Sequence, residues 1–322
     1  MRAPSPTCAT AGRDAAHAAE GVTSMRELYR DPVYDGATDP LVVIAGREWW
    51  MFYTQRRATH PDPGPAVAWV HGSRIGVARS ADGTEWTYAG TLEPTRDGLQ
   101  LAPEGPPVVV DRTHWAPEVI HDGQSWRMYL TEIDGIPDRW PGFPRTIVEY
   151  VSDDLASWRR VGPLALSSDR VIDAAVARTG DGLWRLWYKD EAADSATMTA
   201  SSTDLAEWTR DGVAIGVRPH EGPSVFALAG WWWMIVDEWR GMGVFRSTDG
   251  VGWARQGGVD AVILGPGDLP GGDIGNHGAA VRDGEDVWFY FFARPRGTSD
   301  EERRSAIYRV GLRVDDGVLS TR

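Results

Sequence analysis
"STDLAEW", residues 202–208, sets a serine two residues ahead of an aspartate and closes on a tryptophan four residues further on. The same Ser-x-Asp-x3-Trp pattern stands at "SADGTEW" (80–86), "SDDLASW" (152–158) and "STDGVGW" (247–253). Each copy follows a short β-like run: "RIGVAR", "TIVEYV", "TMTAS" or "MGVFR". It reads as a turn in which the Asp side chain accepts backbone N–H bonds, leading into an edge strand that begins at the Trp. Four copies make a repeat, and a repeat is read before any single residue.

Working outward, each copy has a second run upstream: "EWWMFYT", "SWRMYLT", "LWRLWYK" and "WWWMIVD", with a fifth, "VWFYFFA", that lacks the turn motif. Ahead of these lie "PLVVIAG", "EVIHDG", "AAVARTGDG", "GPSVFALAG" and "GAAVRDGED", apolar stretches closed by Gly or Asp-Gly, the sequence form of a hairpin. The unit is therefore strand, turn, strand, loop, strand, Ser-x-Asp turn, strand. Five such units predict an all-β, five-bladed propeller with four antiparallel strands per blade, because radial repetition buries both faces of each blade and hides most edges. No helical apolar period of useful length follows residue 30. Pro/Gly-rich insertions at 55–72, 88–112 and 134–145 are expected to loop over one face.

Composition fits a large packed domain: 322 residues, 42% apolar, seventeen tryptophans. A net charge of -13 and a pI near 5.0 argue against nucleic acid or an anionic membrane as partner. The single cysteine, Cys8, cannot form an internal disulfide, and no Cys/His spacing suggests structural zinc. The first 24 residues lack the apolar core of a secretory signal, and nowhere is there a run long enough to span a membrane. The expectation is a cytoplasmic protein with a low-complexity lead at 1–28 and one catalytic domain at 29–322, its oligomeric state left open.

In a propeller, the first strand of every blade opens beside the central channel. Counting back eleven residues from Trp50, Trp126, Trp184, Trp232 and Trp288 gives Asp39, Trp115, Asp173, Glu221 and His277. Three acids, an indole and an imidazole are thus expected in one funnel, and converging carboxylates that repel one another argue for a use. Of the Trp231-Trp232-Trp233 run, Trp232 is expected in the blade core and its two neighbours against an adjacent blade.

The head motifs, Asp39 in "ATDP", "HWAPEV" at 114–119, Asp173 in "VIDA", Glu221 in "HEGP" and His277 in "GNHG", resemble those of the five-bladed propeller glycoside hydrolases. The likeness, over roughly residues 30 to 320, is greatest to family 43, the arabinanase, arabinofuranosidase and xylosidase group. It implies Asp39 as general base, Glu221 as general acid and Asp173 as the group that tunes and orients the acid. It implies no required cofactor, with a calcium or sodium ion near His277 as an option in the channel. Glu118 stands where the family usually has Asp, and Ala174 where it has Pro. An inverting enzyme sets its two carboxyls roughly 6.5 to 9.5 Å apart, and an ionised Asp173 is expected to raise the pKa of Glu221. Trp115 is the leading sugar-stacking candidate, followed by Trp69, Trp140 and Trp239. Glu118, His277 and Arg294 complete the expected substrate contacts. The expected activity is hydrolysis of α-L-arabinofuranosides or β-xylosides. Alternatives are a silent glycan- or protein-binding propeller, a glycoside phosphorylase, which needs a cationic cluster at the funnel, and a fructan hydrolase, hinted at by "YRDP" at 29–32.

Overall fold
The computed structural model describes residues 25–103, 111–269, 273–294 and 303–322. Cys8 and residues 1–24 of the lead lie outside the described residues. Apart from one 3-10 turn at Glu191–Ala193, the regular structure described is β. No described helix is long and apolar enough to cross a membrane.

The strands form successive antiparallel meanders. The first is β1 (Ala37–Ala45), β2 (Glu48–Gln55), β3 (Arg74–Ser80) and β4 (Thr87–Pro94), followed by an extra strand β5 (Gly98–Ala102). The second is β6 (Arg112–His121), β7 (Trp126–Asp134), β8 (Thr146–Ser152) and β9 (Ser157–Pro163). The third is β10 (Val171–Arg178), β11 (Trp184–Asp190), β12 (Ala196–Ser202) and β13 (Thr209–Ile215). The fourth is β14 (Glu221–Leu228), β15 (Trp231–Asp237), β16 (Met242–Ser247) and the two-residue β17 (Ala254–Arg255). The last is β18 (Asn276–Asp283), β19 (Asp286–Ala293), β20 (Ala306–Asp315) and β21 (Val318–Thr321).

Separate sheets were expected throughout, but the first two meanders are fused into one nine-stranded sheet, beside three of four strands. The cause is β5, from the insertion at 88–112. It pairs with β4 through Leu92↔Leu101 and with β9 through Leu99↔Trp158, so both outer edges gain hydrogen-bond partners.

The repeat motif works as its residue types require. Ser152 Oγ accepts from Leu155 N at 2.9 Å, and Asp154 Oδ1 accepts from Ala156 N and Ser157 N at 2.9 and 2.7 Å. The residue after the Asp turns left-handed. Glycine fills that position at Gly83 and Gly250, whereas Leu155 and Leu205 adopt φ of 64° and 68° with their side chains buried. The motif tryptophans then wedge between meanders. Trp158 meets Phe52, Trp208 meets Tyr129 and Trp253 meets Trp187, each edge to face at 6.0 to 6.2 Å. Trp86 makes the same contact with Tyr290, joining first meander to last. The inner strands follow suit: β1 touches β6 and β18, and β10 and β14 continue the series. The last meander has no such Trp; its β21 offers Leu319 to the cluster that holds Trp233. Leu28 N and Tyr29 N both donate to Ile307 O, tying the start of the described chain to β20.

Trp231 and Trp233 share the face turned to the last meander, as expected, whereas Trp232 is not the core member. Trp233 is the fully buried member, packed with Ile235 against Phe289 and Phe291 of β19. Trp231 lies under the Arg246 guanidinium at 4.9 Å, and Trp232 is only half-buried. Alternation sends Met234 and Val236 to the opposite face, where they meet Trp187.

Candidate active site
A β-bulge opens every inner strand. The ladder skips between Thr38 and Leu41, Trp115 and Glu118, Ile172 and Ala175, Glu221 and Ser224, and Asn276 and Gly278. At four of the five the bulge begins with positive φ: Asp39 at 49°, Ala116 at 45°, Asp173 at 59° and Gly222 at 59°. Asp39 and Asp173 thus occupy their bulges, whereas Trp115 and Glu221 stand one residue ahead of theirs. The eleven-residue count blurred this difference.

The rung just before each bulge matters as much. There Thr54 faces Thr38, Thr131 faces Trp115, Lys189 faces Ile172 and Asp237 faces Glu221. Three of these ends accept a hydrogen bond from the next meander's bulge. Thr54 Oγ1 takes Ala116 N at 2.8 Å, Thr131 Oγ1 takes Asp173 N at 3.2 Å, and Asp237 Oδ2 takes His277 N at 3.0 Å. Lys189 has no acceptor to offer, so Gly222 N goes instead to Asp173 Oδ2 at 3.1 Å. The ammonium turns to Glu221, 3.0 Å from Oε2, with Glu191 at 3.9 Å and the Trp239 ring at 5.2 Å. Sequence reasoning missed Lys189 and Asp237, yet both end the runs "LWRLWYK" and "WWWMIVD", and that shared position was the available signal.

Asp39, Asp173, Glu221 and His277 line one cavity of about 420 Å³. Trp69, Trp115, Trp140, Trp239 and Arg294 line it too, joined by the unanticipated Arg56, Lys189, Glu191, Asn276 and Phe292. His277 Nδ1 lies 3.6 Å from Asp39 Oδ1 and 3.9 Å from Asp173 Oδ2. Trp115 is 7% exposed, its Nε1 donating to Val70 O, while Trp140 and Trp239 are 50% and 48% exposed. The open indole faces therefore belong to Trp140 and Trp239. Glu118 departs from the group. It lines a second, narrower channel that shares Asp39 and His277 with this cavity, accepts from Val176 N at 2.9 Å, and is pushed by burial up to about 8. Among the described residues no three His, Cys, Asp or Glu side chains come together as a metal-ligand set.

The electrostatics run against the expected direction at Glu221. Burial alone would raise its pKa, but the adjoining Lys189 ammonium, aided by hydrogen bonds from Lys189 and Trp239, holds it below the ordinary value. Burial, reinforced by the charge on Glu221, pushes Asp237 up to about 7. Burial also lifts Asp173 to about 6, with His277 opposing and Glu221 adding. Raised carboxyls bind protons more tightly folded than unfolded. Their contribution to stability is full below the unfolded value of 3.8 and is lost as pH rises through the folded values of about 6 and 7. The thermal midpoint of Asp237→Asn is accordingly expected to vary less than that of wild type between about pH 5 and pH 8. Parallel melting curves across that window would contradict the assignment.

No family model matches the chain, and no curated protein matches it by sequence. Solved structures match by shape. A thermostable family-43 glycoside hydrolase superposes with a TM-score of 0.63 at 16% identity, over 91% of this chain and 96% of its own. A family-43 β-xylosidase/α-arabinofuranosidase from a compost microbial metagenome, solved with xylotriose in a calcium-free form, gives 0.66 at 14% identity, over 93% and 97%. The Bombyx mori family-32 β-fructofuranosidase gives 0.64 at 14% identity, over 92% and 65%. The chain has the β-propeller fold that these glycoside hydrolases share.

Proposed function
We propose that the protein is an inverting glycoside hydrolase on a five-bladed propeller, each meander one blade, acting on arabinofuranosides or xylosides. The observation that carries this reading is the gathering of Asp39, Asp173 and Glu221, far apart along the chain, in one indole-lined cavity of sugar size. Asp39 takes a proton from the attacking water while Glu221 gives one to the leaving oxygen, so the anomeric carbon inverts. Asp173, bonded to Gly222 N and close to His277, fixes the backbone beside the acid. Trp140 and Trp239 offer faces to the C–H surface of a sugar ring.

The donor must be protonated to act, and in the free protein Lys189 opposes this. Proton transfer therefore requires acidic pH or a bound ligand that draws the ammonium away.

The test is the stereochemistry of the first product. Across panels of nitrophenyl arabinofuranosides, xylosides and fructofuranosides, proton NMR during early turnover is expected to show the anomer opposite to that of the substrate. Retention of configuration would remove Asp39 as a base acting on water and point to a covalent route.

A further inference from the structure
We propose that the funnel binds an oxyanion, the ligand's charged group being held by Arg56, Lys189 and Arg294. The inference rests on the carbohydrate-binding reading above and adds to it the charge of what is bound. The chain as a whole carries -13, and this cavity sets three cationic side chains beside its four carboxylates, Asp39, Asp173, Glu191 and Glu221. Arg56 and Arg294 flank a single ring, with their guanidinium carbons 5.4 and 6.0 Å from the centre of Phe292. Desolvation by the cavity walls and repulsion from Arg56 hold Arg294 below its usual pKa, although the residue keeps an exposed surface. Arg56 is not consumed by the fold. Its closest carboxylate contact, Asp39 Oδ2, is at 3.8 Å, and its buried Nε has no hydrogen-bond partner among the described residues.

Lys189 supplies the independent argument. Where Thr54, Thr131 and Asp237 each accept the backbone N–H of the next bulge, the third meander places a donor that the scaffold does not use. Its ammonium rests on Glu221, the group that must hold a proton for glycoside cleavage. A ligand oxyanion competes for that ammonium. On binding, Lys189 is shared with the incoming charge, Glu221 loses part of its stabilisation as an anion, and the donor becomes protonated when the site is filled. Planar guanidinium forks suit carboxylate or phosphate oxygens equally, so the charge has two sources: a uronic acid residue, or free phosphate as a second substrate.

Calorimetry separates these without requiring turnover. Methyl β-D-glucuronide is compared with methyl β-D-xyloside, and methyl α-D-galacturonide with methyl β-L-arabinopyranoside; within each pair the members differ by the carboxylate alone. Inorganic phosphate is titrated separately. At least a tenfold preference for one uronide over its neutral twin assigns the charge to the sugar. Saturable phosphate binding without that preference assigns it to phosphate. Either affinity is expected to fall at least tenfold in Arg56→Gln and in Lys189→Met. No uronide preference together with no phosphate binding in wild type overturns the proposal, as does a preference that both substitutions leave intact. Because the readout is binding, an inactive protein that still selects the oxyanion refutes hydrolysis alone, and an active one indifferent to charge refutes only this inference.

Discussion

Asp39→Asn is expected to lower kcat/KM by about a hundred- to ten-thousandfold while leaving the thermal midpoint nearly unchanged, the range typical of losing one positioned acid–base group. The substitution keeps shape and removes basicity. Asparagine tolerates the left-handed backbone that position 39 requires, and its amide can still meet Thr38 Oγ1, now 3.1 Å from Asp39 Oδ2. The sugar platform is untouched, so the fall should lie in kcat, with KM little changed. Glu221→Gln serves as the partner experiment. Its deficit is expected to shrink on substrates with an activated aryl leaving group, which departs without a proton, whereas that of Asp39→Asn is expected to persist. Equal turnover by wild type and Asp39→Asn would end the proposed role of the base.

Much of this architecture could be read before any coordinates. Ser-x-Asp-x3-Trp fixes both a turn, through local side-chain to backbone bonds, and a wedge residue, so a local pattern carried long-range information. The strand heads were legible because small and proline neighbours mark them, and Asp39, Asp173, Glu221 and His277 do share a cavity. What escaped depends on pairing across strands. Lys189 and Asp237 reach the site only because their rungs lie beside the bulges, and a bulge shifts register without changing hydrophobic alternation. Arg56 was hidden for a similar reason: it directly follows β2 at the edge of an insertion whose path sequence does not give. Fusion of the first two sheets by β5 was invisible too, since an inserted strand chooses its partners from whatever edge lies nearby.

Trp233→Ala is expected to cost about 3 to 5 kcal/mol, the usual range for deleting a buried aromatic. Against a total stability on the order of 5 to 15 kcal/mol, that is a large fraction. Trp233 is fully buried, donates its indole N–H to Leu228 O at 3.0 Å, and shares a cluster with β19 and β21. It sits where the fourth and last meanders meet, the junction that lacks a motif Trp. Truncation opens a cavity that those strands cannot easily fill. Trp232→Ala, one residue earlier and half-buried, is expected to cost markedly less. Urea unfolding of both variants provides the measurement; equal midpoints would show that the two indoles bear on the fold alike and that the assignment of sides is mistaken.

The left-handed residues that open the inner strands have a consequence for how such a molecule drifts. Glycine adopts that backbone freely, as Gly222 does, while a side chain at the same place adds a penalty of roughly 1 to 2 kcal/mol. A descendant relieved of any chemical duty would shed that penalty by mutating Asp39 to glycine, whereas the same change at Asp173 would also strip Gly222 N of its acceptor. On the function proposed above, the left-handed aspartates at both openings are kept for their chemistry and not for the fold.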